Sequence, residues 1–340
     1  MDARARIDSK MAAFRRGCAV QDGYKRTMSR VLFQNRAKDM WVGGDFIQLE
    51  RTREVIERLG YKTGFSSEMV AGDILDDYDI VHTFNFSMPW TSMQMHGAWA
   101  KGKKNVCSMI YHEREDFVPY DVQQKMADIT DIMIFQTEGE RARAERHLKI
   151  NRNKTYIIPN GIESWWFIPI QTVKQDIALT VGRIEPFKNQ LSVAKVCRQI
   201  GIPYICIGEI MDRDYGDAVL AEGAIILPAM KREDLKKLYA ICKVFVMASQ
   251  NETWSLVVDE AGSQSANIVL TEGCERTDIP NVERCNPNNI LSIRFAIDRA
   301  LKLSPNIAFR TQLKTNTWDS IGEKISDVYK AISQPYAHVI

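Results

Sequence analysis

The chain is 340 residues long, 45% hydrophobic and 26% charged, with a formal net charge of +2. That length exceeds what one hydrophobic core usually serves, so two domains are expected. The net charge excludes little, but neither half of the chain is strongly basic as a dedicated nucleic-acid module would be, and no apolar run approaches the roughly 20 residues of a membrane-spanning helix.

The opening stretch MDARARIDSKMAAFRRG is basic but lacks the apolar core of a secretory signal. Residues 1–29 read as a basic arm or helix. Seven cysteines, at 18, 107, 197, 206, 242, 274 and 285, form no CxxC pair, and several sit in apolar runs such as YICIG. They read as reduced, buried thiols of a cytoplasmic protein, not as disulfides or zinc ligands. From residue 30 onward, short β-branched runs alternate with longer amphipathic stretches, the pattern of parallel strands with crossover helices. RVLFQ predicts a first strand and FIQLERTREVIERLG a helix. DIVHTFNF and NVCSMIYH predict further strands flanking the helical SMQMHGAWAKGKK. DIMIFQT leads into the helix EGERARAERHL, and TYIIPN closes this half, 30–160. The segment 161–176, with its prolines and no periodicity, reads as a linker. The alternation then restarts over 177–315, with IALTVG, LSVAKVCRQIG, PYICIG, AIILPA, REDLKKLYAIC, KVFVMAS, SLVVDEAGSQS and NIVLTE. The expectation is α/β: two doubly wound domains facing a cleft.

Several short motifs point into that cleft. VGRIEPFKN (181–189) places Arg183 and Lys188 after a strand that ends at Gly182, where fixed cations can neutralise a departing diphosphate. NETWSLVVDEAG (251–262) sets Glu252 and Glu260 eight residues apart, and a carboxylate at a helix start can accept two ribose hydroxyls or simply meet the helix dipole. WVGGDFIQ (41–48) puts Gly43 and Gly44 before a helix, where backbone N–H groups can approach an anion or sugar closely. His82 and His112 each end a strand; each could meet a sugar hydroxyl or be a satisfied structural histidine. DRD (212–214) has the spacing of a metal-binding pair but lies in a polar stretch, and it reads as a surface loop. The basic stretches 15–26, KGKK (101–104) and RARAERHLK (141–149) could follow phosphates, while the last reads more simply as a solvated helix face.

In order and spacing, VGRIEPFKN, ILPAMKREDLKKLYAICKVFVMAS and NETWSLVVDEAGSQS resemble the nucleotide-sugar-binding half of family 4 retaining glycosyltransferases, which have the GT-B fold. IIPNGIESWWFIP is similar to that family's Pro-Asn-Gly linker, and DIVHTFN and CSMIYHE resemble its two histidine strands. TWDSIGEKISDVYKAI is similar to its closing helix, which implies that 316–340 packs back on the first domain. The resemblance implies two Rossmann-like domains and roles for individual residues. Arg183 and Lys188 would bind the donor diphosphate, Glu260 the ribose, and Glu252 and His112 the transferred sugar. Gly43, Gly44, Gly182, Trp254, Ser255 and Leu256 would complete the donor side, with Asp45, His82, Asn85 and Glu113 toward the acceptor. No metal or other cofactor is implied. Arg183, Lys188, Glu252 and His112 form the expected catalytic set. Two departures stand out: Ser255 replaces a usual glycine, and Ala266-Asn267-Ile268 replaces a usual Gly-x-Pro turn.

The expected activity is transfer of a hexose from a nucleoside-diphosphate sugar to a glycan, polysaccharide or lipid-linked acceptor with retained configuration. DNA bearing a modified base is an alternative acceptor. A non-catalytic nucleotide-sugar binder or an epimerase of the same fold are alternatives outside transfer.

Overall fold

The computed structural model describes residues 28–37, 43–69, 72–113 and 115–333. The basic arm expected over 1–29 therefore lies almost wholly outside the described residues, as do Cys18 and Trp41 of the glycine motif.

Twelve strands among the described residues form two parallel sheets of six. The first has the order β2-β1-β3-β4-β5-β6, from β1 (Arg30–Gln34), β2 (Lys62–Ser66), β3 (Ile80–Phe84), β4 (Lys104–Ser108), β5 (Ile132–Phe135) and β6 (Thr155–Ile157). The second has the order β12-β11-β10-β7-β8-β9, from β7 (Gln175–Val181), β8 (Tyr204–Ile207), β9 (Ile225–Leu227), β10 (Cys242–Met247), β11 (Asn267–Thr271) and β12 (Glu283–Cys285). Central strands such as β3 and β11 are buried along their whole length, which explains their near-continuous apolar runs. The strand period of two divides β1: Val31 and Phe33 enter one core layer and Leu32 the opposite one. Helices α1 (Gly44–Arg58), α2 (Pro89–Ala100), α3 (Tyr120–Asp128) and α4 (Glu138–Ala144) serve the first half. The second half carries α5 (Gln190–Ile200), α6 (Arg213–Ala221), α7 (Arg232–Ile241), α8 (Leu256–Ser263), α9 (Ile290–Lys302) and α10 (Ile307–Leu313).

The last helix, α11 (Trp318–Ser333), belongs to the first half by packing. Its Ile321, Ile325, Val328 and Tyr329, spaced at helical period, enter the same core as Val55 and Ile56 of α1. The chain crosses between halves twice, at 161–162 and 316–318, and the crossings touch. Ile162 and Thr317 form a bridge, and a Cβ at Gly161 would lie 2.6 Å from the backbone nitrogen of Trp318. Only a glycine permits that approach.

Three expectations are corrected. The segment 161–176 is not a plain linker: Ser164–Phe167 is a short 3-10 helix, and Trp166 is fully buried in the core of the second half beside Tyr239 and Phe245. Its aromatic area had no periodicity to reveal it. DRD is a helix start, not a loop: Asp212 Oδ1 accepts from the Tyr215 N–H at 3.0 Å and caps α6. RARAERHLK is not uniformly solvated, since Arg143 on α4 has a side chain only 4% exposed. The six described cysteines are free and buried.

Candidate functional site

Strand order reverses between β1 and β3 in the first sheet, and between β10 and β7 in the second. Loops leaving adjacent strands in opposite directions open a crevice at their carboxyl ends. The loops after β1, β3, β7 and β10 are those that carry most of the expected residues.

In the second half, Gly182 leaves β7 at φ 148 and Gly208 leaves β8 at φ 154, both in the left-handed half of backbone space. A Cβ at Gly208 would lie 2.1 Å from the Gly182 carbonyl oxygen, so the two turns stack backbone on backbone. Beyond them Pro186–Lys188 forms a 3-10 turn, ended by Asn189 at φ 60. Gln190 Nε2 holds the Arg183 carbonyl at 2.7 Å, and the Gln250 N–H holds the Phe187 carbonyl at 2.9 Å. The first braces the β7 loop against the start of α5, and the second fastens it to the β10 loop. Across the seam, Lys188 Nζ lies 2.6 Å from Glu252 Oε1. Arg183 is exposed, with its guanidinium 3.0 Å from Glu185. The structure therefore brings Lys188 and Glu252 together, with Arg183 on the same β7 loop.

Glu260 sits deeper, on α8, at 8% exposure. It accepts from Tyr239 Oη at 3.3 Å and from Arg232 Nη2 at 3.1 Å. Arg232 also forks onto Glu163, with one contact at 2.8 Å, and Glu163 takes Arg51 of α1 at 2.9 Å. The Arg232 guanidinium lies over the rings of Trp165 and Trp166, at 5.4 and 5.2 Å. Burial pushes the Glu260 carboxyl up to about 7, with the Arg232 charge opposing it. Burial acts on Glu163 in the same sense, but its bonds to Arg232 and the nearby Arg51 outweigh it and hold that carboxyl below its ordinary value. The Arg51–Glu163–Arg232–Glu260 chain was invisible in the sequence, because Arg232 meets Glu163 across 69 residues and Glu260 across 28.

Other expected donor-side residues have different surroundings. Trp254 is turned inward: its Nε1 donates to Asp259 Oδ2 at 2.8 Å, and the Arg276 guanidinium lies 3.7 Å from its ring centre. Arg276 is buried and ion-paired with Asp259 at 2.6 Å and Asp278 at 2.9 Å. Trp254 thus braces the start of α8 and does not present its face to a ligand, because its indole N–H needs a buried acceptor. Ser255 occupies the N-cap position of α8 without a side-chain cap bond, and Leu256 packs toward the core of the first half.

In the first half, Gly43 is the N-cap of α1 and its carbonyl accepts from Phe46 and Ile47. A Cβ on Gly44 would meet none of the described residues within 4 Å. His112 is exposed beyond β4, and its backbone N–H and carbonyl both bond Ser87 Oγ, at 3.2 and 2.7 Å. Three acceptor-side expectations change. Asp45 is paired with the buried Arg36 and takes Asn35 Nδ2 at 3.3 Å, so its carboxylate serves its own chain. His82 does not reach the cleft: it is wholly buried, bonded to Tyr329 Oη at 2.6 Å and Ser108 Oγ at 3.0 Å, and burial lowers its pKa to about 3. It ties α11 to the first sheet. Glu113 lies at the surface beside Arg146 and His147, at 3.5 and 3.1 Å. Asn85, at φ 67, follows β3 and is 8% exposed, with a buried Oδ1 that has no hydrogen-bond partner among the described residues. Among the described residues, no three His, Cys, Asp or Glu side chains are grouped so as to hold a metal ion.

Residues 167–317, most of the second half, match the family model described as Glycosyl transferases group 1. No curated protein sequence matches the chain. Among solved structures, HepE from Anabaena in complex with UDP superposes with a TM-score of 0.74 at 12% identity, covering 89% of this chain and 100% of that one. Sucrose-phosphate synthase from Thermosynechococcus elongatus gives 0.74 at 15% identity, covering 89% and 99%. The lipopolysaccharide outer core galactosyltransferase WaaB gives 0.66 at 11% identity, covering 89% and 99%. The two-sheet architecture is the GT-B fold that these proteins share.

Proposed function

We propose that the chain is a retaining glycosyltransferase that moves a hexose from a nucleoside-diphosphate sugar to an acceptor hydroxyl. The observation that carries the reading is the rim at the β7/β10 switch point. There Lys188, on the β7 loop that also bears Arg183, is paired with Glu252, and the buried Glu260 carboxylate lies on α8, the helix that follows the Glu252 loop. The match of residues 167–317 to the family model and the UDP complex of HepE support it.

On this reading the donor diphosphate displaces Lys188 from Glu252 and is neutralised by Lys188 and Arg183 as the sugar–oxygen bond breaks. Charge grows on the leaving oxygen at that moment, so the two cations favour the transition state over the ground state. Glu252, released, turns to the sugar hydroxyls, and Glu260 takes the ribose. The leaving phosphate oxygen can accept the acceptor's proton on the face it departs from, which retains configuration without a covalent intermediate. With two fixed cations at the diphosphate, no metal or cofactor enters the proposal. His112 faces the sugar from the first half. We place the work in the cytoplasm, where free, buried thiols such as the six described cysteines stay reduced.

The acceptor we favour is a glycan, polysaccharide or lipid-linked sugar. Among the described residues, the two basic clusters at 101–104 and 141–149 disfavour DNA. Lys101 meets Asp76 at 3.1 Å, Lys104 meets Asp131 at 3.4 Å, and Arg141 is paired with Glu138. Each of these cations faces a carboxylate of its own chain, which weakens the positive field that a DNA acceptor requires.

The test is a thermal-shift panel of UDP, GDP, ADP, CDP and dTDP on the wild type and on Glu260→Gln. A ligand at 100 times its Kd adds about 2.7 kcal/mol, or about 4 °C for a chain of this length. One nucleotide should stabilise the wild type by that amount and the variant much less. Absence of a shift with all five at millimolar concentration overturns the reading.

A further inference from the structure

Arg143 leaves α4 of the first half and is held from both sides of the cleft. Its Nη2 donates to the Tyr111 carbonyl at 3.0 Å and to Thr253 Oγ1 at 3.2 Å, while Nη1 donates to Asn251 Oδ1 at 3.3 Å. Glu275, from the loop after β11, lies 3.5 Å away as counter-ion. Tyr111 immediately precedes His112, and Asn251 and Thr253 stand on either side of Glu252. One buried guanidinium therefore joins the loop bearing His112 to the loop bearing Glu252, although the two belong to different sheets.

The contact is prepared on the first-half side. Glu140, fully buried one turn before Arg143, accepts from the Tyr111 N–H at 2.7 Å and the Gln136 N–H at 2.5 Å. Both backbone groups of Tyr111 are thus fixed, the N–H by Glu140 and the carbonyl by Arg143. Thr137 caps α4 by accepting from the Glu140 N–H at 2.9 Å, which sets where both side chains emerge. Against the other half, a Cβ on Gly139 would lie 2.5 Å from Glu275 Cβ, so α4 already approaches the second half as closely as backbone allows.

We propose that Arg143 is a positioning residue that locks the His112 loop against the Glu252 loop and so sets the closed geometry in which transfer occurs. The inference rests on the glycosyltransferase reading. Lysine cannot replace it fully: three acceptors on two loops suit a planar fork better than a point charge. Arg143 touches neither Arg183, Lys188 nor Glu260, so donor binding and loop alignment separate experimentally.

The experiment uses the full chain as wild type, Arg143→Lys and Arg143→Met, plus Asn251→Ala/Thr253→Val, which removes the hydrogen bonds to the Glu252 loop and leaves the Glu275 ion pair. Binding is read with the nucleoside diphosphate selected by the panel above, and turnover as release of that diphosphate from its glucose ester. We expect Kd within about twofold of wild type in all variants. Turnover should fall about a hundredfold in Arg143→Met, as expected when reacting groups are displaced by about 1 Å, and less in Arg143→Lys. Added guanidinium ion should restore part of the Arg143→Met rate, which a mere folding defect would not allow. Small-angle scattering, which needs no substrate, should show Arg143→Met with a larger radius of gyration than wild type. Unchanged scattering, or unchanged turnover with intact binding, overturns the lock. A wild type that binds none of the nucleotides overturns the transferase reading instead, while the scattering comparison still judges the lock.

Discussion

Arg232→Met isolates the charge chain that runs from α1 to the floor of the site. The substitution keeps some apolar contact with Trp165 and Trp166 but leaves Glu163 and Glu260 without their shared cation. Glu163 retains Arg51 at 2.9 Å, and among the described residues Glu260 retains only Tyr239 at 3.3 Å. Breaking a buried ion pair costs about 3–5 kcal/mol, and the remaining partners together with the 32% exposure of the Arg232 side chain place this case near about 3 kcal/mol. At about 2.1 cal/mol/K per residue for the entropy of unfolding, that lowers Tm by about 4 °C at pH 8. The effect should depend on pH in a defined sense. Glu260 is raised to about 7 from 4.5 in the folded wild type, so the folded state binds its proton more tightly than the unfolded chain does. Its contribution is full below about 4.5 and is lost as pH rises through about 7. Without Arg232 the carboxyl rises further, and the loss continues above pH 7 in the variant alone. A further rise of about one unit adds about 1.4 kcal/mol, or about 2 °C, to the gap between variant and wild type on going from pH 5.5 to 8.5. Differential scanning fluorimetry across that range measures it. A gap that is flat or narrows with rising pH refutes the argument that Arg232 holds Glu260 ionised.

Tyr329→Phe should leave one ring nitrogen of the buried His82 without its 2.6 Å partner and cost about 1–3 kcal/mol, read as a Tm drop of about 1–4 °C. Nucleotide affinity should not change; a loss of affinity would return His82 to the ligand site. Gly161→Ala should force the two chain crossings apart, because the new Cβ meets the Trp318 backbone at 2.6 Å. We expect a loss of about 1–3 kcal/mol with increased protease cleavage near 161–176, and an unchanged Tm would show that the crossings separate freely.

Much of the architecture was legible because parallel strands buried on both faces must be short apolar runs, and crossover helices must be amphipathic. RVLFQ matches β1 residue for residue, and LSVAKVCRQIG is displaced from α5 by a single residue. KTGFS gave no such signal, yet it forms β2, because an edge strand with a partly exposed face needs no apolar run. The charged residues were the harder part. Composition reads Arg143 as one cation in a polar helix face, and only the approach of α4 to the Glu275 loop removes it from water. His82 and Trp254 failed as ligand contacts for the converse reason, since each found a buried partner, Tyr329 or Asp259, far away or on the next turn.

Local patterning by itself determined the alternation of strand and helix, the two-part organisation and the turn at Gly182 that brings Arg183 and Lys188 off a strand end. Those features depend on backbone preferences and on periods of two and 3.6, which any short window of sequence contains. Only the tertiary structure decided which charges meet. Lys188 pairs with Glu252 across 64 residues, Arg232 with Glu163 across 69, and Arg143 reaches Thr253 across 110. An ionised side chain has no intrinsic preference among opposite charges; desolvation makes the choice, and burial exists only once the two sheets have packed.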